Sequence, residues 1–506
     1  MQDHLQHGAA TDQDSDSALE GGDYPIEEPV RELTAANVEM VRSAMSNSII
    51  EGVFALIYLS VTTATLLIGL LISLGASSVQ VGIAAAMPLL GGIFQPVGAE
   101  IIRRFGGWRR MICVTGITID SLLWLVSATS IALLPAPTAL TILLCTMVVQ
   151  QFATHTTALA WNSWMSDVIP AQIRGRYFGQ RTLILNAAGA ITAVLAGLFV
   201  DHVGDREPWS FVVVILVGVT SRLVSTIFMR RQPEPFPARD RSRSFIRRIT
   251  DPFRDRLYRR YLRFVFSWEF SVQLAAPFFV VYMIRVLNVP FATVALLAGL
   301  TTVSNILGQR VWGKLIDQFG NRAILSVTSF VLAMEPLAWL LAGPSGAAFG
   351  AIVFIHVFAG LSNGGFLLSS ATMMMSLAPT AGKNSFFAMQ ALVRGTSAAA
   401  GPVLGGLLLD RILNVLVPVP SWMGTTFTVV FVLAFSGRLL AWAFLQRLQE
   451  PRSYPRLHVS VLLSEFARSF NVTQGFSLSL QSFSMEPKFD DQTIEEALQE
   501  AERSGR

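Results

Sequence analysis

Several ionisable side chains lie within long apolar stretches of the sequence, where they could bind and release protons. Glu51, His155, Glu269 and His356 are among them. An ionised side chain at the centre of a membrane helix costs about 2.5–3.5 kcal/mol on insertion scales, so each needs a partner or a function. A carboxylate kept from water can exchange a proton near neutral pH, and histidine titrates in that range unaided. These residues predict proton-coupling chemistry, while a structural ion pair or hydrogen bond remains the alternative for each.

Glu269 is the first candidate for this chemistry. It lies about a third of the way along its apolar stretch, and Gln273 follows one helical turn later on the same face. Glu51 is expected nearer the end of its stretch, within reach of water. Amide side chains near the middle of the stretches are candidates for substrate contact: Gln150, Gln151, Gln273 and Asn363.

Metal, cofactor and enzyme chemistry are not indicated. No histidine pair shows ligand spacing with a carboxylate or cysteine. The chain lacks a glycine-rich phosphate loop and a nucleophile motif. Cys113 and Cys145 stand in apolar runs, where packing explains them. We therefore expect that the protein binds no metal and no cofactor and is not an enzyme.

The composition predicts the elements that must position these residues. Of the 506 residues, 52% are hydrophobic and only 14% are charged, whereas soluble domains carry roughly 25% charged residues. Apolar runs long enough to cross a bilayer as helices recur along the chain. The predicted class is an all-α membrane protein with about twelve spans, at 47–74, 79–102, 111–134, 138–166, 178–201, 209–229, 262–286, 291–316, 323–343, 347–377, 384–409 and 422–446.

Arginine and lysine are concentrated in alternate loops. The loops after spans two and four and the interval from Arg230 to Arg263 are rich in arginine, whereas the opposite loops hold little beyond Arg206, Arg285 and Arg411. By the positive-inside rule both termini are cytoplasmic, in a cytoplasmic membrane of the bacterial type. This distribution explains the basic pI without a nucleic-acid partner. The predicted organisation is a disordered acidic tail 1–44, a bundle 45–230, a basic linker 231–260, a bundle 261–450 and a cytoplasmic tail 451–506.

The two bundles are internal repeats of one another. Arg222 matches Arg438 within Ser-Arg-Leu and Gly-Arg-Leu, and Glu234-Pro235 matches Glu450-Pro451 at the same spacing. At a second constant spacing, Pro170 matches Pro379, Tyr177-Phe178 matches Phe386-Phe387, Gly197 matches Gly406, and Asp201 matches Asp410. Two halves of the same orientation suit a transporter in which one bundle rocks against the other.

Two loops carry a family resemblance. Residues 99–110 (AEIIRRFGGWRR) are echoed by 313–322 (GKLIDQFGNR), and this loop resembles the signature loop of the major facilitator superfamily. The segment 164–179 is similar to that superfamily's loop between spans four and five. In the family, an aspartate of the first loop helps to latch one state. Here Asp317 holds that place in the second half, but Arg103 replaces it in the first, so either Glu100 supplies the carboxylate or the latch is absent. The candidate latch residues are Glu100, Arg103, Arg104, Asp317, Arg322, Asp167, Arg174 and Arg176.

The resemblance implies that spans one, four, seven and ten line a central cavity, which places Glu51, His155, Glu269 and His356 around it. Asp120 and Glu335 then lie outside the cavity as secondary candidates, Arg222 and Arg438 fix structure or snorkel, and Arg310 and Arg394 join loop networks.

The resulting hypothesis is a monomeric secondary transporter that moves a small organic solute by alternating access, with proton coupling and with export as one direction. The protein's partners would be its solute, protons and the bilayer. An uncoupled facilitator of the same fold and a transporter-like sensor are the alternatives. Aromatic residues on the cavity spans favour an amphipathic or apolar solute.

Overall fold

The computed structural model describes residues 27–104, 108–204, 206–234, 253, 255–342, 346–377, 383–412, 426–448, 493–496 and 498–499. Among these, eleven helices are long and apolar enough to cross a membrane, and the shorter apolar segment Ser78–Leu90 belongs to a further span. Helices suit these sequences because every backbone polar group is satisfied within the segment, which a bilayer requires. The chain is an integral membrane protein, and the described residues fit the expected twelve spans.

The first half contains spans one to six. Its helices are Glu27–Thr62 and Ala64–Ser73 (span one), Ser78–Ala86, the 3₁₀ turn Met87–Leu90 and Gly91–Arg104 (span two), Arg109–Leu133 (three), Ala136–Val168 (four), Ala171–His202 (five) and Pro208–Arg231 (six). The first helix begins at Glu27, so residues 27–44 of the expected disordered tail are helical. Val38 and Val41 explain this, because they give the segment an apolar face that is buried in the bundle.

The second half repeats the arrangement. Its helices are Arg256–Arg285 (span seven), Phe291–Phe319 (eight), Asn321–Ala338 with the 3₁₀ turn Trp339–Leu341 (nine), Gly346–Leu377 (ten), Lys383–Leu407 continued by the π-helical turn Leu408–Ile412 (eleven) and Thr426–Gln446 (twelve). Asp255 caps span seven by accepting a hydrogen bond from the Tyr258 N–H at 2.8 Å. Gly320 joins spans eight and nine at a φ of 84°, a conformation that favours glycine. Most of the expected linker, 235–252, lies outside the described residues.

Spans one and two are each interrupted. Span one breaks at Thr63, whose hydroxyl donates to the Leu59 carbonyl at 2.6 Å. Span two narrows into its 3₁₀ turn around Pro88, because proline cannot continue the hydrogen-bond ladder of a helix. The sequence predicted neither break, because hydropathy averaged over a whole span does not reveal an interruption of one turn.

The halves meet at the end of the bundle that carries few arginines, here called the Arg-poor end (residues 74–79, 201–204, 206–207, 285–291 and 408–412). Span eleven packs on span two, and span eight packs on span five. Asp201 accepts from the Ala292 N–H, which starts span eight, at 2.9 Å, and Asp410 accepts from the Val79 N–H, which starts span two, at 2.7 Å. These two contacts are reciprocal: the last turn of one half's fifth helix holds the first turn of the other half's second helix.

The glycines next to these aspartates permit the close approach. A Cβ on Gly197 would lie 2.7 Å from the Ala292 nitrogen, and one on Gly406 would lie 2.4 Å from the Ser78 oxygen. Both distances are too short for any side chain. The residues that repeat in sequence, Gly197 with Gly406 and Asp201 with Asp410, therefore build one contact twice.

Part of the C-terminal tail packs on the first half. Ile494 is 1% exposed and belongs to a cluster with Val38, Met165 and Ile173, and Leu498 packs against the same cluster. The tail follows span twelve of the second half in sequence, so this contact connects the two halves at the arginine-rich end. Residues 451–492 of the expected tail lie outside the described residues.

Candidate functional site

A carboxylate–guanidinium pair lies near the middle of the second half. Glu269 stands thirteen residues into the helix Arg256–Arg285, about 20 Å from its first turn at 1.5 Å per residue. The Arg394 Nε on span eleven lies 2.8 Å from the Glu269 Oε1. The Glu269 side chain is 12% exposed, but that of Arg394 is 52% exposed. Arg394 was expected in a loop network; the structure instead places it as the partner that a carboxylate inside the bundle requires.

The pair opens into a cleft of about 120 Å³ between spans seven, ten and eleven. One wall is aromatic, because the Trp268 ring stacks on Phe366 at 4.8 Å between centroids and 24° between planes. Gln390 contributes an amide that donates to the Tyr261 hydroxyl at 3.1 Å. The lining residues are Phe264, Val265, Trp268, Glu269, Phe366, Leu367, Ser370, Ala371, Met374, Gln390 and Arg394.

Glu51 occupies the corresponding first span of the first half, but its surroundings are closed. It is 4% exposed and lies between Arg181 of span five, at 3.5 Å, and Arg222 of span six, at 3.6 Å. The Trp161 ring covers the Arg181 guanidinium at 4.3 Å. The expectation that Glu51 reaches water was wrong, because two guanidinium groups and an indole surround it.

The outer spans hold a second pair of carboxylates. In the first half the Tyr58 hydroxyl donates to Asp120 at 2.6 Å. In the second half the Arg438 Nη1 lies 2.8 Å from Glu335, and Arg438 is 1% exposed. Arg438 also donates to the Leu332 carbonyl at 2.6 Å. The arginine of span twelve is therefore paired inside the bundle and does not snorkel.

Both candidate histidines make hydrogen bonds to backbone carbonyls. A ring nitrogen of His155 lies 3.0 Å from the carbonyl oxygen of Pro88, at the interruption of span two. His356 pairs with the Ile352 carbonyl of its own helix at 2.8 Å, and its ring lies edge-on to Trp339. Each ring has a structural partner, and neither lines the cleft.

The four candidate amides are placed elsewhere in the bundles. Gln150 is 2% exposed, whereas Gln151, Gln273 and Asn363 are half-buried. None of them is among the residues that line the cleft. Gln390 does line it, and the sequence did not single it out, because it lies on span eleven and the resemblance implied a cavity lined by spans one, four, seven and ten.

The candidate latch residues of the first half make contacts within that half. Glu100 and Arg104 form an exposed pair at 2.8 Å. Arg174 donates to the Ser166 carbonyl at 2.6 Å and so caps the end of span four. Asp167 pairs at 2.6 Å with Arg109, a buried residue at the start of span three that the sequence did not single out.

In the second half, Arg322 donates to the Gln446 carbonyl at 2.8 Å, while Asp317 is exposed. Arg176 is exposed as well, and the side chain of Arg103 lies outside what the structure describes. Within the described part of the chain, no group of three histidine, cysteine or acidic residues is arranged to hold a metal ion.

Comparison with known proteins identifies the class. The sequence matches the profile of the Major Facilitator Superfamily over residues 51–402. The chain belongs to this superfamily, and its fold is that of the superfamily's transporters. Comparison with curated proteins finds no match.

Three solved transporters share this fold. A mutant of the nucleoside transporter NupG is 12% identical with a TM-score of 0.65, over 80% of this chain and 100% of its own. A bacterial homologue of the iron transporter ferroportin, in an inward-facing state, is 14% identical with a TM-score of 0.60, over 80% and 98%. The xylose transporter XylE from E. coli, in an inward-open conformation, is 13% identical with a TM-score of 0.57, over 87% and 99%.

Proposed function

We propose that this protein is a secondary active transporter that moves a small organic solute by alternating access and couples the movement to protons at Glu269. The observation that carries the proposal is the Glu269–Arg394 pair, in which a carboxylate within the bundle faces an open cleft. The nucleosides, xylose and iron named for its structural neighbours do not transfer at this level of identity, so the solute has to be found by experiment.

The contacts between the halves support alternating access. The reciprocal aspartate contacts hold the two halves together at the Arg-poor end. Each joins a short aspartate side chain to a backbone N–H, so neither contact can persist when the halves move apart. With both termini in the cytoplasm, as the arginine distribution favours, the closed end faces outward and the described conformation is inward-facing. Rocking of the halves would break these contacts, open the Arg-poor end and close the arginine-rich end.

The chemistry of coupling follows from the pair itself. When Glu269 binds a proton it loses its charge, and the ion pair with Arg394 weakens. Protonation therefore changes both the charge inside the cleft and the contact between spans seven and eleven. Glu51 is less suited to this role, because two arginines hold it and its side chain is only 5% exposed.

The test uses purified protein in proteoliposomes. A screen of small organic solutes for those that raise the melting temperature supplies a ligand, and its flux is then measured with and without an imposed pH gradient. We expect wild-type flux to follow the gradient and Glu269→Gln flux to ignore it. Glu39→Gln, which changes an exposed carboxylate at the start of span one, is the control and should behave as wild type.

Gradient-dependent flux in Glu269→Gln would contradict the assignment of the coupling site. Flux that only equilibrates the solute in wild-type protein would instead favour an uncoupled facilitator. A protein that binds its ligand without any flux, and loses its cellular phenotype when the tail after Pro451 is removed, would be a sensor. The sign of the flux under the gradient distinguishes import from export.

A further inference from the structure

We propose that the cleft between spans seven, ten and eleven binds the carboxylate of an amphipathic organic acid, with Arg394 as its partner and the aromatic wall against its apolar body. This inference rests on the proposed function, because it names the solute class for the same site. It is carried by three observations: the unequal exposure of the pair, the lining of the cleft, and the difference between the two halves.

The exposed charge of the cleft is positive. The Arg394 side chain is 52% exposed and that of Glu269 only 12%, so a solute that enters meets the guanidinium first. Arginine has five N–H donors in a planar fork that matches a carboxylate. Its Nε serves Glu269, and the rest of the fork is the natural contact for a second carboxylate. A cationic solute would meet this charge unfavourably before it could reach Glu269.

The wall opposite the charge is apolar and flat. Phe264 lies 6.1 Å from Trp268, whose ring stacks on Phe366. Met374 and Leu367 extend the surface. Aromatic faces bind planar apolar groups by stacking, and the cleft volume of about 120 Å³ suits a body the size of one ring. Sugars and polyanions fit this lining poorly.

The repeat shows how the two halves differ at the place of this cleft. Trp161 and Ser370 stand at the same separation in sequence as Asp201 and Asp410, so they hold equivalent places on spans four and ten. In the first half the Trp161 ring fills the place and covers Arg181, whose side chain is 14% exposed. In the second half the small Ser370 leaves that space open. At that separation Arg181 corresponds to Gln390, so the serine leaves space beside Gln390, which lines the cleft together with Arg394.

The charges balance for one proton and one monovalent anion. Glu269 takes a proton from water and becomes neutral, its bond to Arg394 is released, and the carboxylate of the solute takes the vacated guanidinium. The pair is neutral before binding and the loaded site is neutral afterwards. Transport of this kind is an electroneutral symport, which a membrane potential does not drive.

The experiment compares three probes of one shape: phenylacetate, the uncharged phenylacetamide and the cationic 2-phenylethylamine. Melting of purified full-length protein is followed against the concentration of each. We expect phenylacetate to raise the melting temperature, more strongly at pH 6 than at pH 8. The amide should bind at least about tenfold more weakly than phenylacetate, since the charge-assisted contact is lost. The amine should have no effect.

Variants locate the binding. Ser370→Trp should remove the phenylacetate effect by filling the cleft, whereas Ser376→Trp, on an exposed position of the same helix, should not. Arg394→Gln should remove it and Arg394→Lys should retain part of it, which keeps the test valid if Ser370→Trp fails to fold. Glu269→Gln should strengthen binding at pH 8 and abolish its pH dependence, because Arg394 is then free.

Equal binding of the amide, preferential binding of the amine, or an unchanged effect in both Ser370→Trp and Arg394→Gln would overturn the inference. Failure of the inference differs from failure of the proposed function. If another class of solute gives gradient-dependent flux, the function stands and the organic acid is wrong. If phenylacetate binds as expected but its flux ignores the gradient, the anion site stands and coupling at Glu269 is wrong.

Discussion

Glu51 and Glu269 lie on the first span of each half, but their arginine partners leave them with different access to water. Glu51 has two guanidinium neighbours and an indole cover. Glu269 has one neighbour, and that neighbour is half exposed. A site that exchanges protons needs a route for them, so access rather than the mere presence of a carboxylate separates the two residues.

The pair of Arg438 and Glu335 gives a prediction at the scale of single residues. Arg438→Leu should destabilise the protein by up to about 3–5 kcal/mol, because it leaves a carboxylate inside the bundle without its partner. Partial exposure of Glu335, 22% for its side chain, should reduce that cost. The double variant Arg438→Leu/Glu335→Leu should recover most of the loss, since apolar side chains suit the site. Thermal melting in lipid nanodiscs measures all three proteins, and a double variant less stable than the single one would contradict this account.

The sequence pointed to Glu269 as a candidate but not to its partner. An acidic residue in an apolar stretch is visible locally, whereas Arg394 lies 125 positions away and reaches Glu269 only because spans seven and eleven pack together. From the sequence, Arg394 was expected to join a loop network. The size of the cleft was also hidden, because it depends on Ser370 being small where the repeat has Trp161.

At the scale of elements, the reciprocal contacts place an aspartate at the first turn of a helix twice. The N-terminus of a helix carries a partial positive charge and free N–H groups, and an anion there contributes about 0.3–1 kcal/mol, up to ~2 kcal/mol in partly buried geometry. Asp201, which accepts from the start of span eight, and Asp410, which accepts from the start of span two, therefore stabilise the state in which the Arg-poor end is closed.

Removing both charges should shift the population towards the opposite state. Asp201→Asn/Asp410→Asn keeps an acceptor at each position but loses the charge–dipole interaction, and a combined loss of about 1–2 kcal/mol corresponds to roughly 5–30-fold in the equilibrium. The measurement is labelling of Ser370→Cys by a membrane-impermeant maleimide, in a Cys145→Ser background because Cys145 is exposed. Labelling from the arginine-rich side should slow in the aspartate variant.

Two controls accompany that experiment. Glu207→Gln lies at the same end, outside the contacts between the halves, and should leave labelling unchanged. Labelling from the Arg-poor side should rise in the aspartate variant as the other side slows. Equal labelling rates in both backgrounds would show that the two aspartates do not set the equilibrium.

At the scale of elements, the internal repeat in the sequence was the most informative feature. The matched aspartates and glycines identified corresponding helix ends, and the structure shows why they match. The repeat could not predict that the fifth helix of each half contacts the second helix of the other half. A comparison of the two half-sequences aligns equivalent residues but does not show which helices touch. The interruptions of spans one and two were missed because hydropathy averages over a break of one turn.

At the scale of the whole molecule, the C-terminal tail ties the second half to the first. Ile494→Asp should release the tail segment, because a buried aliphatic side chain contributes about 1.5–3 kcal/mol and an unpaired charge in its place is unfavourable. Hydrogen exchange over residues 493–499 should accelerate in this variant and remain slow in Glu495→Gln, whose side chain is exposed. Unchanged exchange in Ile494→Asp would show that the contact contributes little to tail ordering.

The paired aspartates bear on how such a molecule arises. The same surface patch of each half meets the same patch of the other, which is the isologous contact of a two-fold symmetric dimer. A six-span ancestor with a single aspartate at the end of its fifth helix would have made both contacts simply by dimerising. Fusion of two copies would then have kept both aspartate contacts at this end without any new residue. The halves could diverge elsewhere, as they have at Trp161 and Ser370.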